Sequence, residues 1–254
     1  NIFITENKSS YLKSLANNLK SDVIDHNNFI GGRYSVLSEV GMLPAMLMGL
    51  KVSKFRKFNE LVKNKYFLNS IINSVSTIVD FTKKNKSNSI ILNYDEKSLD
   101  FFYWYQQLVA ESLGKKSKGI LPIVSRMPQD NHSLMQLYLD GTKNNFYTFF
   151  FTEEIFSQKI RNQEISKSHS YLKNKNLNDV LYNQFIATQS VFTKKNIPFR
   201  SFEIEKRNES TLGILFTYFI LETILLGKAL NVNPYDQPSV ELIKKETKKR
   251  LIKN

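Results

Sequence analysis

The chain has 254 residues, with 36 Lys and Arg against 23 Asp and Glu, for a net charge of +13. Its 41% hydrophobic and 13% aromatic content is that of a folded chain rather than a disordered one, enough for one large domain or two small ones. The absence of Cys excludes disulfides and thiolate metal sites, and three dispersed His are too few to suggest a metal cluster.

Ile2–Thr5 reads as a strand with no signal-peptide pattern, so the chain is expected to open inside a domain. Ser9–Leu19 is an amphipathic helix and Val23–Asp25 a candidate second strand. Gly31–Arg33 is a loop, and helical spacing of apolar residues follows over 37–50, 52–64 and 66–84. Ser89–Leu92 is a strand leading into a helix over 96–113. Gly119–Ser125 is a strand, followed by a helix over about 130–140. Asn145–Phe151 is strongly strand-like, and the polar stretch 157–176 reads as a surface excursion. Helix 176–195, strand 199–204, helix 209–229 and helix 238–252 complete the chain. Strands alternating with long helices predict an α/β fold, a three-layer sandwich around a mostly parallel sheet.

Leu212–Leu226 is very apolar, but shorter than the roughly 20 residues of a membrane span. It also carries Thr217 and Glu222, so it reads as a buried core helix. The positive charge favours anionic partners in general. It is scattered, however, and runs such as Lys83–Lys86 and Lys248–Arg250 read as solvated helix ends. No helix gathers Arg into a nucleic-acid-binding stripe.

Four segments carry chemistry. The first is Gly31-Gly32-Arg33-Tyr34-Ser35-Val36-Leu37-Ser38, followed by Val40-Gly41. The second is Gln106-Gln107-Leu108-Val109-Ala110-Glu111-Ser112-Leu113-Gly114-Lys115. The third is Asp130-Asn131-His132-Ser133-Leu134, then Gln136. The fourth is Asn233-Pro234-Tyr235-Asp236-Gln237-Pro238, then Val240-Glu241 and Lys244.

Gly31 and Gly32 allow positive φ and close backbone approach, so Arg33 is either thrust from a tight turn toward a ligand or a surface Arg after an ordinary one. Gln107 and Glu111 lie four apart on one helix face. With Gly114 as C-cap residue, Glu111 sits where the helix dipole disfavours a carboxylate, which suits a general base. The other reading is an exposed Glu at a helix end. His132 lies just inside an expected helix N-terminus capped by Asp130 or Asn131, where the dipole would keep the imidazole neutral. Otherwise it supplements the cap. Lys244, about two turns into a helix that Pro238 begins, stands among other lysines. His26 and His169 read as surface residues.

In this order and at these separations, the four segments resemble the C-terminal half of the glucose-6-phosphate isomerase (phosphoglucose isomerase) family, and the resemblance covers nearly the whole chain. It implies a sugar-isomerase (SIS-like) domain over 29–254, with 1–28 the end of a preceding one. It also implies a cytoplasmic homodimer that interconverts glucose 6-phosphate and fructose 6-phosphate through a cis-enediol. No metal, organic cofactor, nucleic acid or membrane would be involved. Glu111 would be the base, and Arg33 would stabilise the enediolate oxygen. His132, supplied by the neighbouring subunit, and Lys244 would assist ring opening. Gln107, Gln237 and Gly32 would bind substrate. The alternative is a non-catalytic sugar-phosphate-binding module. Two departures stand out. Ser239 replaces the family's usual Gly, and the family's Ser/Thr-rich phosphate loop would lie upstream of Asn1. The 254 residues alone are therefore expected to show little or no activity.

Overall fold

The computed structural model describes residues 1–153 and 157–253. In chain order, β1 (Ile2–Glu6), α1 (Tyr11–Asn18) and β2 (Asp22–His26) lead into a 3-10 turn over Gly32–Leu37. Then come α2 (Glu39–Leu47), α3 (Val52–Phe55), α4 (Phe58–Leu61) and α5 (Lys65–Lys83). Next are β3 (Asn88–Asn93), α6 (Leu99–Leu113), β4 (Leu121–Arg126), α7 (Asp130–Ser133), α8 (Met135–Asp140) and β5 (Asn145–Thr152). The chain continues through α9 (Leu177–Lys194), β6 (Phe199–Ile204), α10 (Glu209–Ala229) and α11 (Pro238–Lys253). The fold is mixed α/β with parallel sheets, as its alternating pattern predicts.

Several expected helices are broken, each for a local reason. The helix expected over 37–50 begins only after Ser38. That residue is extended, and its hydroxyl accepts from the Val40 N–H to cap α2. The helix expected over 52–64 is interrupted at Arg56, with φ −91° and ψ 66°, leaving α3 and α4. The helix expected over 130–140 breaks at Leu134 into α7 and α8. Here Asp130 reaches back, accepting from Ser125 Oγ and the Arg126 N–H, both at 2.7 Å. The excursion over 157–176 contains two 3-10 turns and an antiparallel bridge between Lys159 and Asn176. Asn176 then starts α9 through a reciprocal capping box with Asp179.

The residues group into two compact units. The first comprises residues 1–75, 111–116 and those from 209 onward. In it, β1 and β2 pair in parallel, Ile2 opposite Asp22 and Glu6 opposite His26. Met42, Ala45 and Phe55 form a small core with Leu37, Val52, Leu212 and Phe216. Helix α10 approaches α3 at Gly213, where a Cβ would fall 2.3 Å from the Phe55 carbonyl oxygen. At 21 residues, α10 is long and apolar enough to cross a membrane by length and composition, so shortness does not decide its role. The core reading rests instead on burial. Glu222 is 1% exposed and accepts from Ser74 Oγ, and Thr217 bonds within its own helix. Helix α11 is exposed over 238–252, as its lysine-rich sequence predicts.

The second unit comprises residues 76–110 and 117–208. Its sheet has strand order β4-β3-β5-β6, all parallel. Every residue of β5 is buried, as befits a strand covered on both faces. On one face Phe149 meets Phe192 of α9 with ring centroids 5.2 Å apart. On the other Phe150 meets Phe102 of α6 at 4.8 Å. The unit is thus a three-layer sandwich. At the carboxyl ends of β3 and β5, Asp95 is held by a bidentate Arg207 and by Ser98 and Thr152.

Candidate active site

Arg33 organises the first unit's polar centre. It stands in the 3-10 turn and is 3% exposed, so its guanidinium requires partners throughout. Nε donates to Ser112 Oγ at 2.8 Å. Nη1 donates to Glu111 Oε2 at 3.3 Å and to Gln237 Oε1 at 2.8 Å. Nη2 donates to the carbonyls of Pro234 and Asp236, at 2.7 and 3.1 Å. One side chain therefore ties the last turn of α6 to the segment between α10 and α11.

Around it lies a second set of contacts. Tyr34 Oη donates to the Pro234 carbonyl at 3.0 Å, so at 2.8 Å it accepts from Ser112 Oγ. Burial pushes the Tyr34 phenol up, against the opposing pull of Ser112 and Arg33. The Arg33 guanidinium lies 5.2 Å from the centroid of the Tyr34 ring. Lys115 pairs with Asp236 at 2.8 Å and donates to the Asn233 carbonyl, holding the Asp236 carboxyl below its usual range. The Glu111 side chain remains 30% exposed. The arrangement is a carboxylate at a helix end, partly open to solvent, held beside a buried cation and an amide.

Of the residues singled out by sequence, Arg33, Glu111 and Gln237 come into direct contact. Gly32 is the neighbour of Arg33. Contrary to expectation, neither Gly31 nor Gly32 needs glycine for its conformation. Gly31 has φ −66°, and a Cβ on either would meet nothing within 4 Å. Arg33 is not projected from the turn but enclosed. Lys244 is exposed on α11 and pairs with Glu241 at 2.7 Å. Gln107, exposed on α6, and His132 belong to the second unit.

His132 is exposed in a helix of four residues whose N-cap, Gln129, makes no side-chain bond. So short a helix gives no dipole argument for a neutral ring. Asp130, one of the two expected cap residues, instead fixes the turn through Ser125, Arg126 and Ser133. His26, expected at the surface, is largely covered and bonded at both ring nitrogens. Sequence reasoning passed over Tyr34, Ser112, Lys115 and Asp236 as site members. Their signal was adjacency: Tyr34, Ser112 and Asp236 each lie beside a selected residue, and Lys115 closes the segment that carries Glu111.

Among known proteins, the Phosphoglucose isomerase family model matches residues 17–253. The glucose-6-phosphate isomerase of Methanocaldococcus jannaschii is 32% identical over 96% of this chain and 61% of that protein. That of Mycoplasmopsis pulmonis is 34% identical over 85% of this chain and 52% of that protein. The chain thus spans between half and two thirds of these relatives. A hypothetical protein from Thermus thermophilus, known as a crystal structure, superposes over 98% of this chain and 62% of its own. Its TM-score is 0.88 at 25% identity. A glucose-6-phosphate isomerase structure from Chlamydia trachomatis shares the fold, with a TM-score of 0.78 at 16% identity over 98% of this chain and 52% of its own. With the family model matching nearly end to end and four motif segments in order, the chain belongs to the phosphoglucose isomerase family.

Proposed function

We propose that this protein interconverts glucose 6-phosphate and fructose 6-phosphate by base-catalysed proton transfer through a cis-enediol. The observation that carries the reading is the Glu111 carboxylate, partly exposed at the end of α6 and held by Arg33, which also holds Gln237. Glu111 takes the C2 proton and returns it to C1. Buried positive charge beside it favours the enediolate as negative charge develops on oxygen. Gln237 and Gln107 bond hydroxyl or phosphate oxygens, and the open space at Gly32 admits the sugar. Lys244 and His132 assist ring opening. This chemistry calls on a carboxylate and a cation and requires no metal or organic cofactor.

We propose further that the protein works as a cytoplasmic homodimer. His132 serves the partner's site across an isologous interface, without nucleic acid or membrane. Its exposure on a short turn supports that reading.

A coupled assay of the intact protein tests the activity. Turnover of about 10 per second, ordinary for enzymes, is the expected result. Fructose 6-phosphate binding without turnover would make the protein a binding module instead.

A further inference from the structure

The turn that delivers Arg33 is itself held by an ion pair. His26 ends β2, and its side chain is 11% exposed. Its Nε2 lies 2.8 Å from the Ile30 carbonyl oxygen, and its Nδ1 contacts the carboxylate of Glu39 in the first turn of α2. Both partners accept, so both ring nitrogens must carry hydrogen, which makes the ring an imidazolium. The Glu39 carboxylate also takes the Asn27 N–H. Between these two anchors, Phe29 N–H bonds Asn27 Oδ1 at 2.9 Å, and Ile30 N–H bonds the Asn27 carbonyl at 3.1 Å. The Gly31 carbonyl then accepts from Tyr34 N–H and starts the turn that carries Arg33.

We propose that His26, as an imidazolium, is a positioning residue that clamps residues 27–32 and so fixes Gly32 and Arg33, a hold released by deprotonation. The proposal rests on the isomerase reading of those two residues. The charged groups facing the ring are Glu39 from α2 and Glu6, opposite on β1, which Lys8 also engages. Burial lowers the His26 pKa, but the two carboxylates and the Ile30 carbonyl outweigh it, leaving it above the ordinary 6.5. Glu39 is held below its ordinary 4.5 by its own N–H, His26 and the Asn27 N–H. A raised His contributes fully below 6.5 and is lost as pH rises through its folded value. A lowered Glu contributes above 4.5 and is lost as pH falls through its own. The clamp is complete between these limits and opens on the alkaline side.

Ring NMR of His26, with hydrogen exchange of the Ile30 and Tyr34 amides across the same pH range, tests this without substrate. The expected His26 midpoint lies above 6.5, and protection of both amides falls by about tenfold through it, the scale of a charge-assisted hydrogen bond. Glu39→Gln should move both midpoints down together, and His26→Gln should remove the step in protection. A midpoint at or below 6.5, or protection that is flat across it, overturns the clamp even if His26→Gln fails to fold. In the active protein, kcat/KM should decline through the same midpoint. An exchange step with no isomerase activity would overturn the isomerase reading and leave the clamp standing. Activity that ignores the step would overturn the positioning role alone.

Discussion

Arg33 makes every one of its guanidinium bonds to the protein, so its first duty is to hold Glu111 and Gln237 in place. Arg33→Lys replaces a planar fork of five donors by a single ammonium. Two carbonyls, the buried one of Pro234 and that of Asp236, then compete for it with Ser112 and Gln237. The expected cost is about 3 kcal/mol of stability, read by denaturant unfolding. A fall in kcat should accompany it, larger than any rise in KM. Gly32→Ala separates binding from folding. The backbone accepts a side chain and the added methyl meets open space, so stability should change by no more than about 0.5 kcal/mol. If that space admits the sugar, KM should rise several-fold. An unchanged KM would remove Gly32 from the substrate site. The sequence marked Arg33, Glu111 and Gln237 only through the segments around them. Nothing in an isolated Arg, Glu or Gln reveals that three such residues meet. The glycine signal misled as well, because conformational need and empty space look alike in a sequence.

At the scale of elements, apolar periodicity located nearly every strand and helix. It failed where a polar side chain intervenes, as Ser38 and Asp130 do, and at Arg56, where the backbone leaves helical angles. His26 looked like a surface residue because its partners are a carboxylate 13 residues away and a carbonyl, neither visible as a pattern. Helix α10 offers a direct test of packing. Gly213→Ala places a methyl against the Phe55 backbone, which cannot yield as a side chain tip can. Overpacking of this kind costs about 1–3 kcal/mol, so the urea midpoint should fall accordingly. A midpoint equal to that of the parent protein would show that α10 and α3 do not meet as closely as described.

For the whole molecule, the arrangement of residues 111–116 with 1–75 and those from 209 onward rests on contacts such as Arg33–Ser112 and Arg33–Pro234, 79 and 201 positions apart. No local pattern encodes such pairings, so these contacts were illegible while the elements they join were not. The proposed dimer makes its own prediction. His132→Ala chains mixed with Glu111→Gln chains of the intact protein should recover activity if His132 acts in trans, because each mixed dimer then has one unblemished site. Mixed dimers without recovery would put His132 in its own subunit or outside catalysis. The central claim, that Glu111 carries the proton, is tested most directly in deuterium oxide. Starting from glucose 6-phosphate, the intact protein should yield fructose 6-phosphate carrying deuterium at C1 in the fraction of turnovers in which the proton held by Glu111, 30% exposed, exchanges with solvent before its return, seen by NMR. Glu111→Gln should keep substrate affinity while both conversion and deuterium incorporation fall by about 100- to 10,000-fold. Conversion by Glu111→Gln within about threefold of the parent rate, far short of that range, would contradict the account.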